Sequence, residues 1–514
     1  MDNIFKKLDQ ISQINQENKL VMWLERLAFI FLILMVLAEP HSIAATQIAW
    51  LIGMTIWVVR LFIKPRLKPI RTPLDLPIFL FCSWSLISAI FSYTPDISLG
   101  KTRNVLLILI LYYVINSTRT KQAVMLLVSL LIFSCMVGVI GTPIQRIWGR
   151  GIEIYGIKAD SPFKKTKPVG DFTLIQVLND GDTVLRANNY RIESPDELLA
   201  EVESNEITQL KIYRPDVYAM LEIKRTDLLN GSNSLEKLGI ENWKKNHYWR
   251  SQWSYSHYTT FAEVLQLIGS LIFGLLITSI EKGYQRGNKS KIVLFAVCYL
   301  LLIIALFLTV TRASEIAILA AAAAMVLING NRKLILGLGV VIFLLVLLAV
   351  FFLKENRQIG FIDSADSSTQ YRLMMYRDGL RLWTSQPRNF VLGVGMDSIK
   401  RYWREWDLFD KGWQPIGHFH STVLQLLVER GFPALLFWLW ILAILARTFW
   451  NYLAHSFNSQ NLTERGVVLG ALGSLIGFFI SGLAHYNLGD SEVAMGFFLI
   501  MGLGFSLSRS KQGE

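Results

Sequence analysis

TTFAEVLQLIGSLIFGLLITS (259–279), the basic link EKGYQRGNKSK (281–291) and IVLFAVCYLLLIIALFLTV (292–310) together decide the fold. Each apolar run, at about 1.5 Å per helical residue, is long enough to cross a hydrocarbon core of about 30 Å. In lipid only a helix or a closed barrel satisfies its own backbone N–H and C=O groups, and these runs show no alternation. The pair therefore reads as a helical hairpin in a membrane, with its Lys- and Arg-bearing turn in the cytoplasm.

Similar runs recur near 21–38, 43–63, 76–92, 104–116, 123–141, 313–329, 334–353, 422–446, 467–484 and 492–508. With the first two they make twelve candidate spans and predict an all-α polytopic membrane protein. The run at 104–116 falls short of about seventeen residues and is expected to be tilted or partly enclosed. Of 514 residues, 52% are hydrophobic and only 18% charged, whereas a soluble domain carries about a quarter charged. That balance excludes collagen, disorder, coiled coil and a small disulfide scaffold. Cys82, Cys135 and Cys298 all fall inside apolar runs and read as small buried hydrophobes.

The net charge of +12 is a topology signal, and no nucleic-acid partner is expected. KPRLKPIRTP (64–73), EKGYQRGNKSK and NGNRK (329–333) are the most basic short loops and fall on one side of the count. With that side as cytoplasm, both chain ends are cytoplasmic and the first span is a retained anchor. The segments near 142–258, 354–421 and 485–492 then face the opposite side. The expected division is 1–141 with five spans, an insertion at 142–258, spans six to nine at 259–353, an outer loop at 354–421, and the last three spans and tail at 422–514.

The insertion is the one stretch that reads as a small α+β domain. FTLIQVL (172–178) and TQLKIYR (208–214) look like strands, and Asn179-Asp180-Gly181-Asp182 like a turn. Ser194-Pro195-Asp196-Glu197 carries the spacing of a capping box before a helix. Positions 160–202 resemble the middle of a PDZ domain: Asp160-Ser161-Pro162, Gly181-Asp182-Thr183-Val184-Leu185, Asn188-Asn189, then the helix from Ser194 to Val202. Extra residues separate the first two elements, and no clear carboxylate-binding loop follows. The resemblance implies a PDZ-like fold and a possible peptide or protein partner; a plain packing domain fits as well.

The outer loop holds the densest chemistry. Arg372 and Arg377 precede Pro387 and Gly393-Val394-Gly395, which precede His418-Phe419-His420-Ser421 and Glu429-Arg430-Gly431. Thr309-Val310-Thr311-Arg312-Ala313-Ser314 lies at an outer junction, and Tyr486-Asn487-Leu488-Gly489-Asp490-Ser491-Glu492 precedes the last span. In this order the motifs resemble the bacterial O-antigen ligase and polymerase superfamily over roughly 258–508. The first five spans match only in hydropathy. The resemblance implies a GT-C-like membrane glycosyltransferase that uses a glycan on undecaprenyl diphosphate.

The residue types suit that chemistry. Arginine donates bidentate hydrogen bonds to phosphate oxygens and stays charged when desolvated. Arg312, Arg372 and Arg377 are the diphosphate candidates; a headgroup-facing or snorkelling role is the competing reading for each. Arg377 and Arg381 share a helical face, and Arg372 is turned about 140° from Arg377. Arg381 and Arg388 read as structural. Histidine titrates near working pH and can take a proton from an acceptor hydroxyl. His418 and His420, two apart in an extended segment, would point to one side. The resemblance favours His420 as base and His418 as an acceptor-binding or orienting group. Capping of the following helix is the alternative.

Glu429 and Asp490 would anchor arginines or acceptor hydroxyls, or else cap helix ends. Tyr371, Tyr376, Trp383, Tyr402, Trp403, Trp406 and Trp413 would form an interfacial belt or stack on sugars. No metal site and no cofactor are expected, because His-x-His lacks further ligands at suitable spacing and no Asp-x-Asp pair occurs in the outer loops. The expected activity is inverting transfer from undecaprenyl diphosphate to an acceptor hydroxyl, on the outer face of a bacterial cytoplasmic membrane. Lipid A core, another repeat unit or a protein hydroxyl remain open as acceptor. A lipid-linked glycan transporter and a membrane sensor are the rivals from other classes.

Overall fold

The computed structural model describes residues 2–15, 18–66, 69–169, 175–214, 217–286, 289–330, 337, 367–412, 417–455 and 462–509. Short α1 (Asp2–Ser12) leads into α2 (Lys19–Ala38), α3 (Ile43–Phe62), α4 (Asp75–Ile90) and α5 (Pro95–Val105). Then come α6 (Leu109–Ser117) and α7 (Lys121–Trp148). Ten helices among the described residues are long and apolar enough to span a bilayer, and Asp75–Ile90 is a shorter apolar helix. Of the expected span at 334–353, only Gly337 is among the described residues. The run at 104–116 is not short: a 3-10 turn at Leu106–Ile108 joins α5 to α6, so the helix extends back to Pro95. Polar residues such as Lys101 and Arg103 had hidden that first half.

The chain forms two compact units, Ile140–Trp253 and the remainder. In the smaller unit, seven antiparallel strands are β1 (Arg150–Tyr155), β2 (Lys167–Pro168), β3 (Thr183–Ala187), β4 (Tyr190–Arg191), β5 (Ile207–Arg214), β6 (Val217–Lys224) and β7 (Asn242–Asn246). Their order is β2-β6-β5-β3-β1-β7, with β4 on β3, and α8 (Pro195–Ser204) and α9 (Ser234–Leu238) complete the unit. Ile152, Val184, Leu198, Leu210 and Ile212 form its core. The Ser194 hydroxyl caps α8 by accepting the Glu197 amide at 3.3 Å, while Glu197 reaches back to the Glu193 amide at 2.7 Å, one residue before the position a capping box implies. The described part of FTLIQVL, 175–178, is not a strand. Ile175 and Leu178 enter the core from a coil, whose Leu178 carbonyl accepts Lys164 Nζ at 3.0 Å.

In the larger unit, α10 (Tyr258–Arg286), α11 (Lys289–Phe307) and α12 (Arg312–Asn329) precede the outer segment. That segment holds α13 (Ser367–Thr384), α14 (Pro387–Leu392), α15 (Ile399–Tyr402) and α16 (Phe409–Gly412). Finally come α17 (Thr422–His455), α18 (Leu462–Ser481) and α19 (Ser491–Arg509). α10 is enclosed along its length, chiefly by α18. Their backbones nearly touch: a Cβ on Gly470 would meet Leu271 Cα at 2.6 Å. Small residues permit such approach where lipid provides no hydrophobic drive between helices. Ser474 seals the crossing by donating to the Leu267 carbonyl at 2.8 Å.

Polar groups gather at the two helix ends. At one end Glu25 holds Arg60 and Arg119, each at 2.9 Å, and Asp9 on α1 holds Arg26 at 2.6 Å. Asn329 donates to Glu281 at 2.7 Å at the same end. At the other end Tyr255 donates to the Glu39 carbonyl at 2.8 Å and Thr260 to Asp490 at 2.6 Å.

Candidate functional site

The outer segment is a packed layer. Met375, Leu382, Val394, Ile399, Phe409 and Phe419 form one buried cluster, so α13 and the Gly-x-Gly segment are seated against the start of α17. Arg381 pairs with Asp378 at 3.3 Å and donates to the Asp407 carbonyl. Arg388 donates to the Phe91 carbonyl and lies over Tyr93, 4.1 Å from its centroid. Both arginines are tied to the scaffold.

Gly393-Val394-Gly395 lies backbone to backbone along the break in α17. Val394 N–H donates to Val428 O at 2.8 Å, and Gly395 N–H to Glu429 O at 2.9 Å. α17 breaks at Gly431, whose φ is 77°, and Gly393 and Gly395 have φ of 74° and 101°. A side chain at any of the three would be strained, and at Gly431 it would strike the Val391 carbonyl. Carbonyls at the break are met from α4: Trp84 Nε1 donates to Arg430 O at 2.9 Å and the Ser88 hydroxyl to Glu429 O at 3.2 Å, and Ser88 also reaches Leu392 O at the end of α14 at 2.7 Å.

Glu429 is buried, and it works here as a tether. Its Oε1 accepts the Asp397 amide at 2.9 Å and its Oε2 the Tyr486 hydroxyl at 3.4 Å. Burial works against ionisation of Asp397, but Lys101 and Lys400 outweigh it and hold that carboxyl below its usual range. Asp490 accepts from Thr260 and, at 3.2 Å, from the Glu492 amide that opens α19. Its carboxylate is thus committed to a helix start.

The two histidines do meet, but not along an extended segment. His420 has a φ of 48°, a left-handed conformation that a bulky residue holds only when its surroundings impose it. The His418 and His420 ring centroids are 4.3 Å apart, and His420 N–H donates to His418 Nδ1 at 3.2 Å. That bond places the neutral His418 proton on Nε2. Burial, then the neighbouring His418, His485, Arg372 and His257, pushes the His420 imidazole down to about 2. Burial, then His485 and Lys400, pushes His418 down to about 4. Both rings are neutral bases at neutral pH.

α13 separates the two arginines it carries. Arg372 is half-buried and close enough to His420 to disfavour its protonation. Tyr376, one turn further on, donates to Leu483 O at 2.9 Å and to His420 O at 3.4 Å. Arg377 is exposed between Leu373 and Leu380, which are 63% and 47% exposed. It has no carboxylate partner among the described residues. Arg312 opens α12, whose far end is fixed to Glu281 through Asn329. Arg312 therefore sits at the end where α10 begins, the end shared with His485 and Asp490. Tyr371 stands edge-on to His420 at 6.4 Å, and Trp413 lies outside the described residues.

Sequence reasoning missed Glu263 and His485, which pair Oε1 to Nδ1 at 2.7 Å, both buried. An acidic residue within the apolar run 259–279 was the available signal. It also missed Thr422, whose hydroxyl donates to Asn487 Oδ1 at 2.7 Å and so joins α17 to the 485–490 connection.

Residues 297–439 match the family model described as O-antigen ligase. That span contains Arg312, Arg372, the Gly-x-Gly segment, both histidines and Glu429. No curated protein matches the chain.

Proposed function

We propose that the chain is an O-antigen ligase-type membrane glycosyltransferase that moves a glycan from a polyprenyl diphosphate, undecaprenyl by family resemblance, to an acceptor hydroxyl. The observation that carries this reading is the meeting of His418, His420 and Arg372 at the helix end where α12 starts with Arg312, inside the family-matched residues. Arg312 and Arg372 hold the diphosphate and stabilise the charge that develops on it as the glycosidic bond breaks. His420 takes the proton from the acceptor oxygen as that oxygen attacks the anomeric carbon, so the centre inverts and polyprenyl diphosphate leaves. A bound diphosphate offsets the nearby cations and raises His420 toward the range of a useful base.

The family likeness covers both ligases and polymerases. Lipid A core is the acceptor we favour, with a growing glycan or a protein hydroxyl as the alternatives. The site faces the outer side of a bacterial cytoplasmic membrane, and the Ile140–Trp253 unit acts as a PDZ-like docking module on that side. The test is a reconstituted assay with a lipid-linked glycan and each acceptor class, comparing the full chain with His420→Ala and Arg312→Ala. Transfer abolished in both variants supports the reading. Full turnover in His420→Ala overturns the base, and glycolipid movement without a transfer product overturns the enzyme in favour of a transporter.

A further inference from the structure

We propose that Glu263 is a positioning residue of the transfer site, acting through His485. The proposal rests on the reading of His420 as base. Glu263 lies in α10, five residues after Tyr258 opens that helix, and its residue is 2% exposed. A carboxylate inside a span is costly unless something uses it. Here Oε1 meets His485 Nδ1 at 2.7 Å, Oε2 is buried as well, and the Asn487 side chain lies beside the carboxyl.

His485 connects this carboxylate to the histidine pair by two routes. Its carbonyl and that of Gly482 accept the Thr422 amide at 3.1 and 2.7 Å, and Thr422 is the first residue of α17, two after His420. Its ring is also near enough to His418 and His420 to weigh on the protonation of both. The same connection anchors α13, through the Tyr376 hydroxyl on Leu483 O. Holding the His485 ring in one place thus fixes the turn against which α13 and the start of α17 are docked. Asp490, a neighbouring acid that interacts with Glu263, is engaged by Thr260. The chemistry is that of a carboxylate orienting an imidazole, placed one step behind the histidine that takes the proton.

The experiment uses the full chain in nanodiscs, the lipid-linked glycan donor and the acceptor that wild type uses. Glu263→Gln keeps an oxygen that can accept Nδ1–H, and Glu263→Ala removes it. The alanine variant is expected to lower kcat about tenfold to a hundredfold, up to about the cost of misplacing a catalytic group by 1 Å, with donor KM unchanged. The glutamine variant restores most of that loss. Glu263→Ala with His485→Ala is expected to be no worse than the weaker single variant, because both remove one interaction. Equal losses for Ala and Gln, a change confined to KM, or multiplying losses overturn the proposal. If wild type transfers nothing, the functional reading fails. The positioning claim is then decided by nitrogen-15 resonances of His418 and His420, which must shift in Glu263→Ala and not in Glu263→Gln.

Discussion

The amide of Gly395 donates to the carbonyl of Glu429 at 2.9 Å. This one bond joins a loop glycine to the broken turn of a membrane helix, and the Glu429 side chain continues the link to Asp397 and Tyr486. Two sequence motifs more than thirty residues apart are in this way one structural device. It sets the distance between the outer layer and the helix that the histidines precede.

Gly431→Ala should test that device most severely. A backbone at φ 77° and ψ 175° is essentially confined to glycine and costs a residue with a Cβ about 1–3 kcal/mol, and contact with the Val391 carbonyl adds to it. The expected result is a lower thermal midpoint in detergent and loss of transfer, with Gly417→Ala, where a Cβ meets nothing within 4 Å, as the neutral control.

Arg372 and Arg377 should separate cleanly. Removing a charge that stabilises the leaving diphosphate costs about 10²–10³ in kcat, and Arg372→Ala is expected in that range. Arg377→Ala, on the exposed Leu373–Leu380 face, should stay within about threefold of wild type, the scatter expected for a surface group. Single-turnover kinetics with a saturating donor distinguishes the two.

Acid should loosen the site. His418 and His420 are held near 4 and 2, below the ordinary 6.5, so between those values the unfolded chain binds more protons than the folded one. Stability therefore falls as pH drops below about 6.5, continuing through 4 for His418. Thermal midpoints measured from pH 7 to pH 4 should show this slope, and His418→Asn with His420→Asn should flatten it.

Glu25→Ala leaves Arg60 buried without its carboxylate, since Arg60 is 3% exposed. Breaking a buried pair from one side costs about 3–5 kcal/mol. Denaturation in mixed micelles should register that loss, and Glu25→Ala with Arg60→Met should recover part of it.

What the residues determine by themselves is the set of spans and the inventory of chemistry. A run of about twenty apolar residues has one backbone solution in lipid, so the described helices at 258–286, 289–307 and 312–329 were legible as written. Pro95–Val105 was not, because polar residues on a half-enclosed helix imitate a loop. Helical periodicity also told that Arg372 and Arg377 lie on different faces. It did not tell which face meets His420, since that depends on Tyr376 finding a carbonyl more than a hundred residues away, at Leu483. The left-handed turn at His420, the Glu263–His485 pair and the union of Gly395 with Glu429 belong to the same class. Each is a contact between distant parts of the chain. Local preference has no term for such contacts, and only packing of the helices brings the partners within bonding distance.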